Sequence, residues 1–195
     1  MKRVVITGMA TINPLGDTLE DYYQNLIHGK SGIKRWHSID VSRIECKVGG
    51  DLGDYDCQAA LDRIKPLLKE EHYKSIRKLF RTATFSCKTA VLCALNAYID
   101  AGLLDVWVDP FRTSVLVAGH NLNANYFFNN GRQFQIAPEL VDPLGAVQVI
   151  DSNVPATISE VLGLRGPTFT LGGACASGNL ALRDGFRDIM IGECD

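Results

Sequence analysis

The hydrophobic and polar pattern opens with a continuous apolar run, Val4-Val5-Ile6, that reads as a strand covered on both faces, followed by Thr7-Gly8 and a loop closing at Pro14-Leu15-Gly16. Asp17 or Thr18 then stands where a helix N-cap belongs, for a helix running to about His28 and stopped by Gly29. From residue 30 to residue 74 the pattern becomes polar, charged and glycine-containing, with one helical suggestion from Gln58 to Ile64; we read it as a surface excursion within a single domain spanning residues 1–195. Apolar positions return at helical spacing in Phe80, Ala83, Thr84, Cys87, Ala90, Val91, Ala94 and Ala97, which predicts one long helix from Ser75 to Ala101 ended by Gly102. Ser114 to Ala118 reads as a second buried strand, ending at Gly119-His120-Asn121-Leu122-Asn123. Pro143 to Ile150 and Asn153 to Leu162 read as short helices, with Pro155 tolerated in a first turn and Gly163 as a stop. Thr168 to Leu171 suits a strand, and a further run with helical spacing ends the chain.

Strands alternating with helices predict an α/β protein, and composition narrows its class. Of 195 residues, 46% are hydrophobic and 22% charged, with a formal net charge of -2, so the basic surface that nucleic-acid phosphates require is missing. No apolar run is long enough for a transmembrane helix, and the start lacks a signal-peptide cleavage site, so a cytoplasmic protein is expected. The six cysteines form no C-x-x-C pair and the four histidines are not spaced with them as zinc ligands, so reduced thiols and no metal are expected. Cys87 and Cys93 fall in an apolar helical run and read as core. The first loop has Gly8 and Gly16 with Pro14 between them, which is not the G-x-G-x-x-G of a dinucleotide fold.

The segment around Cys175 carries the candidate chemistry. A cysteine between a buried strand and the first turn of a helix sits where N–H groups point outward and the helix dipole favours negative charge. Gly172 and Gly173 ahead of it permit a sharp turn and close approach of a substrate. The Cys175 N–H belongs to the same set of donors, able to stabilise the oxyanion formed when its thiolate attacks a thioester. The bland alternative is a small buried thiol acting as a hydrophobe. His120 and Asn121, at the end of the second strand, are candidates for a pocket floor or for loop residues that satisfy backbone groups.

The stretch GLRGPTFTLGGACASGNLALRDGFRDIMIGECD resembles the nucleophile region of the β-ketoacyl synthases, the condensing enzymes of fatty-acid and polyketide synthesis. The opening RVVITGMATINPLGDTLEDYYQNLIHGKSGI is similar to their first strand, loop and helix, and RTSVLVAG to a central strand. The resemblance implies the N-terminal half only of a thiolase-like αβαβα fold, a mixed sheet with helices on both faces. It makes Cys175 the nucleophile, with its backbone N–H in the oxyanion hole, and puts His120 and Asn121 beside the acyl tail, where their size suits a short acyl group. It also implies substrates carried on the phosphopantetheine of an acyl carrier protein, no metal or bound cofactor, and a homodimer when intact. Two catalytic histidines, a lysine and a second oxyanion donor belong to the later half in that family. These residues by themselves are therefore expected to be inactive, the chain stopping before the next core strand. Gly172-Gly173-Ala174 replaces the usual T-A before the cysteine and is similar to the decarboxylating ketosynthase-like proteins of polyketide β-branching, so malonyl-carrier-protein decarboxylation stands as an alternative. A non-catalytic ketosynthase partner subunit is a third reading, against which Cys175 counts.

Overall fold

The computed structural model describes residues 3–195. Its elements, in chain order, are α1 (Leu19–Ile27), β1 (Ile33–Arg35), β2 (Val48–Gly50), α2 (Cys57–Ile64), α3 (Glu70–Leu79), α4 (Phe85–Asp100), β3 (Val115–Ala118), α5 (Ala124–Ile136), α6 (Gly145–Gln148), α7 (Asn153–Leu162), β4 (Thr168–Leu171) and α8 (Ser177–Ile191). The mixed sheet expected from the sequence is represented, among the described residues, by two separate pairs. β1 and β2 form an antiparallel hairpin, and β3 and β4 pair in parallel, with Val115 opposite Thr168 and Ala118 opposite Leu171.

Local chemistry explains where the helices start and stop. Thr18 caps α1, its Oγ1 accepting the Asp21 N–H at 3.0 Å and donating to the Asp21 carboxylate at 2.8 Å. Gly163 and Gly192 end α7 and α8 in the left-handed region (φ 69° and 83°), and the next amides turn back: Leu164 N–H reaches Ser159 O and Glu193 N–H reaches Asp188 O, both at 2.9 Å. Pro155 is the third residue of α7, where its missing N–H has no intrahelical acceptor to lose.

One core lies between α2, α3, α4, α7 and one face of the β3–β4 pair. Leu61, Ile76, Val91, Leu92 and Leu95 are its most deeply buried members, packed with Tyr73, Phe80, Val115, Ile158 and Leu164. Gly166 brings the strand-entry loops together, since a Cβ there would stand 2.4 Å from Thr113 O.

Three expectations change. Val4 to Ile6 adopt no strand, and Val5 and Ile6 are 60% and 72% exposed, because no described strand runs beside them to complete a ladder. The single helix from Ser75 to Ala101 is two, with residues 80–84 between them: Thr84 takes an extended conformation (φ -64°, ψ 162°) and its Oγ1 accepts the Cys87 N–H at 3.2 Å, starting α4 afresh. The surface excursion is confined to the hairpin and its flanks. Cys57, Ala60 and Leu61 of α2 and Tyr73 and Ile76 of α3 are buried in the core, because the apolar side of each helix faces α4 and α7 while its charges face solvent.

Candidate active site

Parallel pairing makes both β3 and β4 end on the same side, so the loops that follow them meet. The last rung joins Gly119 N–H to Leu171 O at 2.9 Å. Beyond it the β3 loop turns sharply: Gly119 has φ 137°, and a Cβ there would stand 2.7 Å from Leu122 Cδ2. Asn121, at φ 56°, is one of two non-glycine residues at positive φ among the described residues, Ala174 at φ 47° being the other. Such positions cost on the order of 1–3 kcal/mol and persist where surrounding contacts fix them. Both lie in the two loops that meet here.

The contacts that fix Asn121 come from Asp151, whose carboxylate accepts the Asn121 N–H at 2.9 Å and the Leu122 N–H at 2.8 Å. The Asp151 carbonyl oxygen accepts the Thr170 hydroxyl from β4 at 3.0 Å. Below the loop, Asn123 is buried, and its Oδ1 accepts the Thr84 hydroxyl at 2.7 Å.

After β4 the chain makes a tight elbow. Gly173 N–H donates to Ser177 Oγ and the same hydroxyl donates to Ala174 O, both at 2.8 Å, so a buried serine ties the turn to the first residue of α8. Residues 174–176 form a single 3₁₀ turn closed by Ala176 N–H to Gly173 O at 2.9 Å and by Ser177 N–H to Ala174 O. The Ala174 and Cys175 amides precede the first closed ring, where helix donors have no intrahelical acceptor. Cys175 is exposed. A Cβ on Gly173 would stand 2.4 Å from Leu180 Cδ1 of α8, so a side chain there would require Leu180 to move.

Of the residues singled out from sequence, Cys175 lies on the elbow and His120 and Asn121 on the facing loop. His120 approaches the elbow, its Nδ1 lying 3.6 Å from where a Gly172 Cβ would stand. Asn121 is exposed and contributes its backbone geometry to the loop. Other histidines are engaged elsewhere: His72 Nε2 lies 2.7 Å from Val161 O and His28 Nδ1 2.7 Å from Gln24 O. The thiols of Cys57 and Cys93 are pushed up by burial, the former against the opposing pull of Lys88. No cluster of three or more metal-ligating side chains occurs among the described residues. Asp151, Thr170 and Ser177 are site-forming residues that sequence reasoning missed. Only Ser177, two residues after the cysteine, stood near enough in the chain to signal a role.

The beta-ketoacyl synthase N-terminal domain family matches residues 1–195. A 3-oxoacyl-(acyl-carrier-protein) synthase 2 of Synechocystis sp. is 29% identical over 193 residues, covering 98% of this chain and 43% of that protein. The polyketide biosynthesis malonyl-ACP decarboxylase PksF of Bacillus subtilis is 24% identical over 201 residues, covering all of this chain and 43% of that protein. Among solved structures, the ishigamide ketosynthase/chain length factor superposes with a TM-score of 0.80 at 22% identity, over 98% of this chain and 45% of that one. A beta-ketoacyl synthase from Burkholderia phymatum gives 0.71 at 20% identity, over 100% of this chain and 45% of its own. These likenesses show the ketosynthase fold, and the chain spans less than half the length of the proteins it matches. The glycine-lined elbow, the parallel pair beneath it and the match along its whole length make this chain a member of the β-ketoacyl synthase family, in its N-terminal domain.

Proposed function

We propose that this chain is the nucleophile-bearing part of a condensing enzyme of fatty-acid or polyketide synthesis, with Cys175 as its nucleophile. The observation that carries the reading is an exposed thiol on a strained elbow at the carboxyl end of β4, among amides that precede the first helical ring. In the first step the Cys175 thiolate attacks the carbonyl of an acyl carrier protein thioester. Negative charge gathers on that oxygen beside the Cys175 N–H, then returns as the carbon–sulfur bond to pantetheine breaks, leaving the acyl group on Cys175 and a carrier thiolate that takes up the proton given off when the Cys175 thiolate formed. Malonyl carrier protein then loses carbon dioxide, and the resulting carbanion attacks the Cys175 thioester. The new carbon–carbon bond forms as the bond to Sγ breaks, freeing the thiolate.

The decarboxylation needs groups to polarise the malonyl thioester, and His120, on the loop facing the elbow, is a single imidazole near it. We assign that work to two histidines and a lysine in a C-terminal half, which also supplies a second oxyanion donor. The described residues by themselves are inactive on this reading. An apolar groove of about 880 Å³ between Val4–Ile6, Leu116 and the outer side of α8 supports a missing half that covers it. Exposed Phe127, Phe128, Phe134 and Ile136 on α5 support a homodimer. Substrates arrive on carrier phosphopantetheine and no resident cofactor or metal is required. Six free thiols support a cytoplasmic setting.

Likeness to the Bacillus decarboxylase and the Gly172-Gly173-Ala174 lead-in favour a second reading, decarboxylation of malonyl carrier protein without condensation. The full-length protein, given malonyl carrier protein with and without an acyl donor, separates the two. Condensation yields a β-ketoacyl product only when the donor is present, and Cys175→Ala abolishes it. Acetyl carrier protein as the sole product in both arms would exclude the synthase. Retention of full activity by Cys175→Ala would remove the nucleophile assignment, and no turnover in either arm would favour the non-catalytic partner.

A further inference from the structure

We propose that Asp151 is a positioning residue for transfer at Cys175, its carboxylate holding the β3 loop in the shape that sets His120 against the glycine pair ahead of the thiol. The proposal rests on the reading of Cys175 as the nucleophile. Asp151 stands immediately before Ser152, the N-cap position of α7, where an acidic side chain ordinarily serves its own helix. It does not do so here, and that cap makes no side-chain hydrogen bond. Both carboxylate oxygens instead take amides 30 and 29 residues earlier in the chain, those of Asn121 and Leu122. Two charge-assisted bonds to successive amides are what keep Asn121 at φ 56°.

The same residue reaches the other loop through its main chain. Its carbonyl oxygen holds the Thr170 hydroxyl, two positions before Gly172, so a single residue ties the β3 loop to the end of β4. His120 lies between Gly119 and Asn121, both at positive φ, and its ring stands in van der Waals reach of the glycine pair, Nδ1 lying 3.6 Å from where a Gly172 Cβ would be. The direction of that ring is therefore set by the loop's backbone, and the loop's backbone by Asp151. Asp151 touches no reacting atom; it fixes the wall beside the elbow.

The test compares two reactions of one thiol in the full-length protein, wild type against Asp151→Ala and Asp151→Asn. The first is alkylation by iodoacetamide, mapped by mass spectrometry, with exposed Cys46 as the internal control and buried Cys57 and Cys87 as reporters of unfolding. The second is single-turnover acyl transfer from an acyl carrier protein. Releasing the loop opens the elbow to a small reagent, so Asp151→Ala raises Cys175 alkylation by about threefold while Cys46 is unchanged. It lowers the acyl-transfer rate constant by about tenfold with the carrier KM unmoved, because placement of the acyl group is what is lost. Asp151→Asn retains one carbonyl acceptor and falls between. Rates equal to wild type in both assays would overturn the proposal, as would parallel changes at Cys46, Cys57 and Cys87, which mark a merely structural role. A threefold rise at Cys175 in a protein whose wild type accepts no acyl group would uphold the loop's dependence on Asp151 and sink the condensing function instead.

Discussion

The two faces of the β3–β4 pair use similar residues to opposite effect. On one face Val115, with Val117 beside it, meets α7 and joins the core that also holds Leu92, Leu95, Ile158 and Leu164. On the other, Leu116 and its rung partner Phe169 meet α8, whose Leu182 and Phe186 remain exposed beside the groove that Val4–Ile6 help to line. Strand residues alternate between faces, so a strand apolar at every position asks for cover on both sides. Among the described residues that cover is complete on one side and only partial on the other, where α8 leaves Phe169 39% exposed. Stability therefore comes from the α4–α7 face, whereas the α8 face is a surface shaped for contact.

The largest effects should separate the faces. Leu95→Ala removes a side chain with no exposure at the centre of the closed face and should cost about 2–5 kcal/mol in urea unfolding. Leu182→Ala, at a residue 65% exposed, should change the 195-residue chain by less than about 0.5 kcal/mol. Equal losses at the two sites would end the contrast. In the full-length protein the second value should climb toward the first if further chain covers the groove, and staying near zero there would refute that cover. A smaller effect tests the seam at which the two strands enter. Gly166→Ala forces a methyl against Thr113 O and should cost about 1–3 kcal/mol, whereas Gly178→Ala, with open space at its Cβ on the outer side of α8, should be tolerated.

The same contrast marks what could be read from sequence. Punctuation was legible wherever one residue does the work locally: a cap at Asp17 or Thr18, which the structure gives to Thr18, Gly163 as a stop, and the glycine pair before Cys175, whose second member a Cβ would drive into Leu180. Breaks hidden inside a regular pattern were not. Phe80, Ala83 and Thr84 continue the apolar stripe across residues 80–84, so periodicity runs straight through the point where Thr84 restarts the backbone. Tyr73 and Ile76 are scattered among Glu, Lys and Arg, which hid the buried side of α3. Val4 to Ile6 have a strand's composition, but a ladder needs a neighbour and composition cannot supply one. At the site, the thiol was visible because its setting is contiguous in the chain. Asp151 was not, because its hydrogen bonds span about thirty residues and no local pattern encodes them.

The smallest predicted effect uses a matched pair of hydrogen bonds, one at each region. Tyr73 donates to Asp62 within the closed core's edge, and Tyr126 donates to Asp142 beneath exposed α5, both at 2.6 Å. Each carboxyl is held below its usual range, Asp62 chiefly by the tyrosine hydroxyl and then by Gln58, Asp142 by its tyrosine and then by the Leu144 N–H. A carboxyl lowered in the folded state adds stability that is present above its unfolded value and is lost as pH falls through the folded one, so on the carboxyl side both tethers should weaken in acid. At the alkaline end, burial and the Asp142 acceptor push Tyr126 up to about 12. Its hydroxyl therefore keeps its proton, and the α5 tether, well past the pH at which a free tyrosine ionises. Ultraviolet titration should show a late tyrosinate phase that Tyr126→Phe diminishes, leaving the contribution of Tyr55, also pushed up to about 12 by burial and Asp17. Carboxyl NMR should show Asp142 in the same variant moving back toward its ordinary range while Asp62 stays in place. Movement of both carboxyls together would mean that α5 is coupled to the core, and the open side could no longer be treated as a surface independent of the closed one.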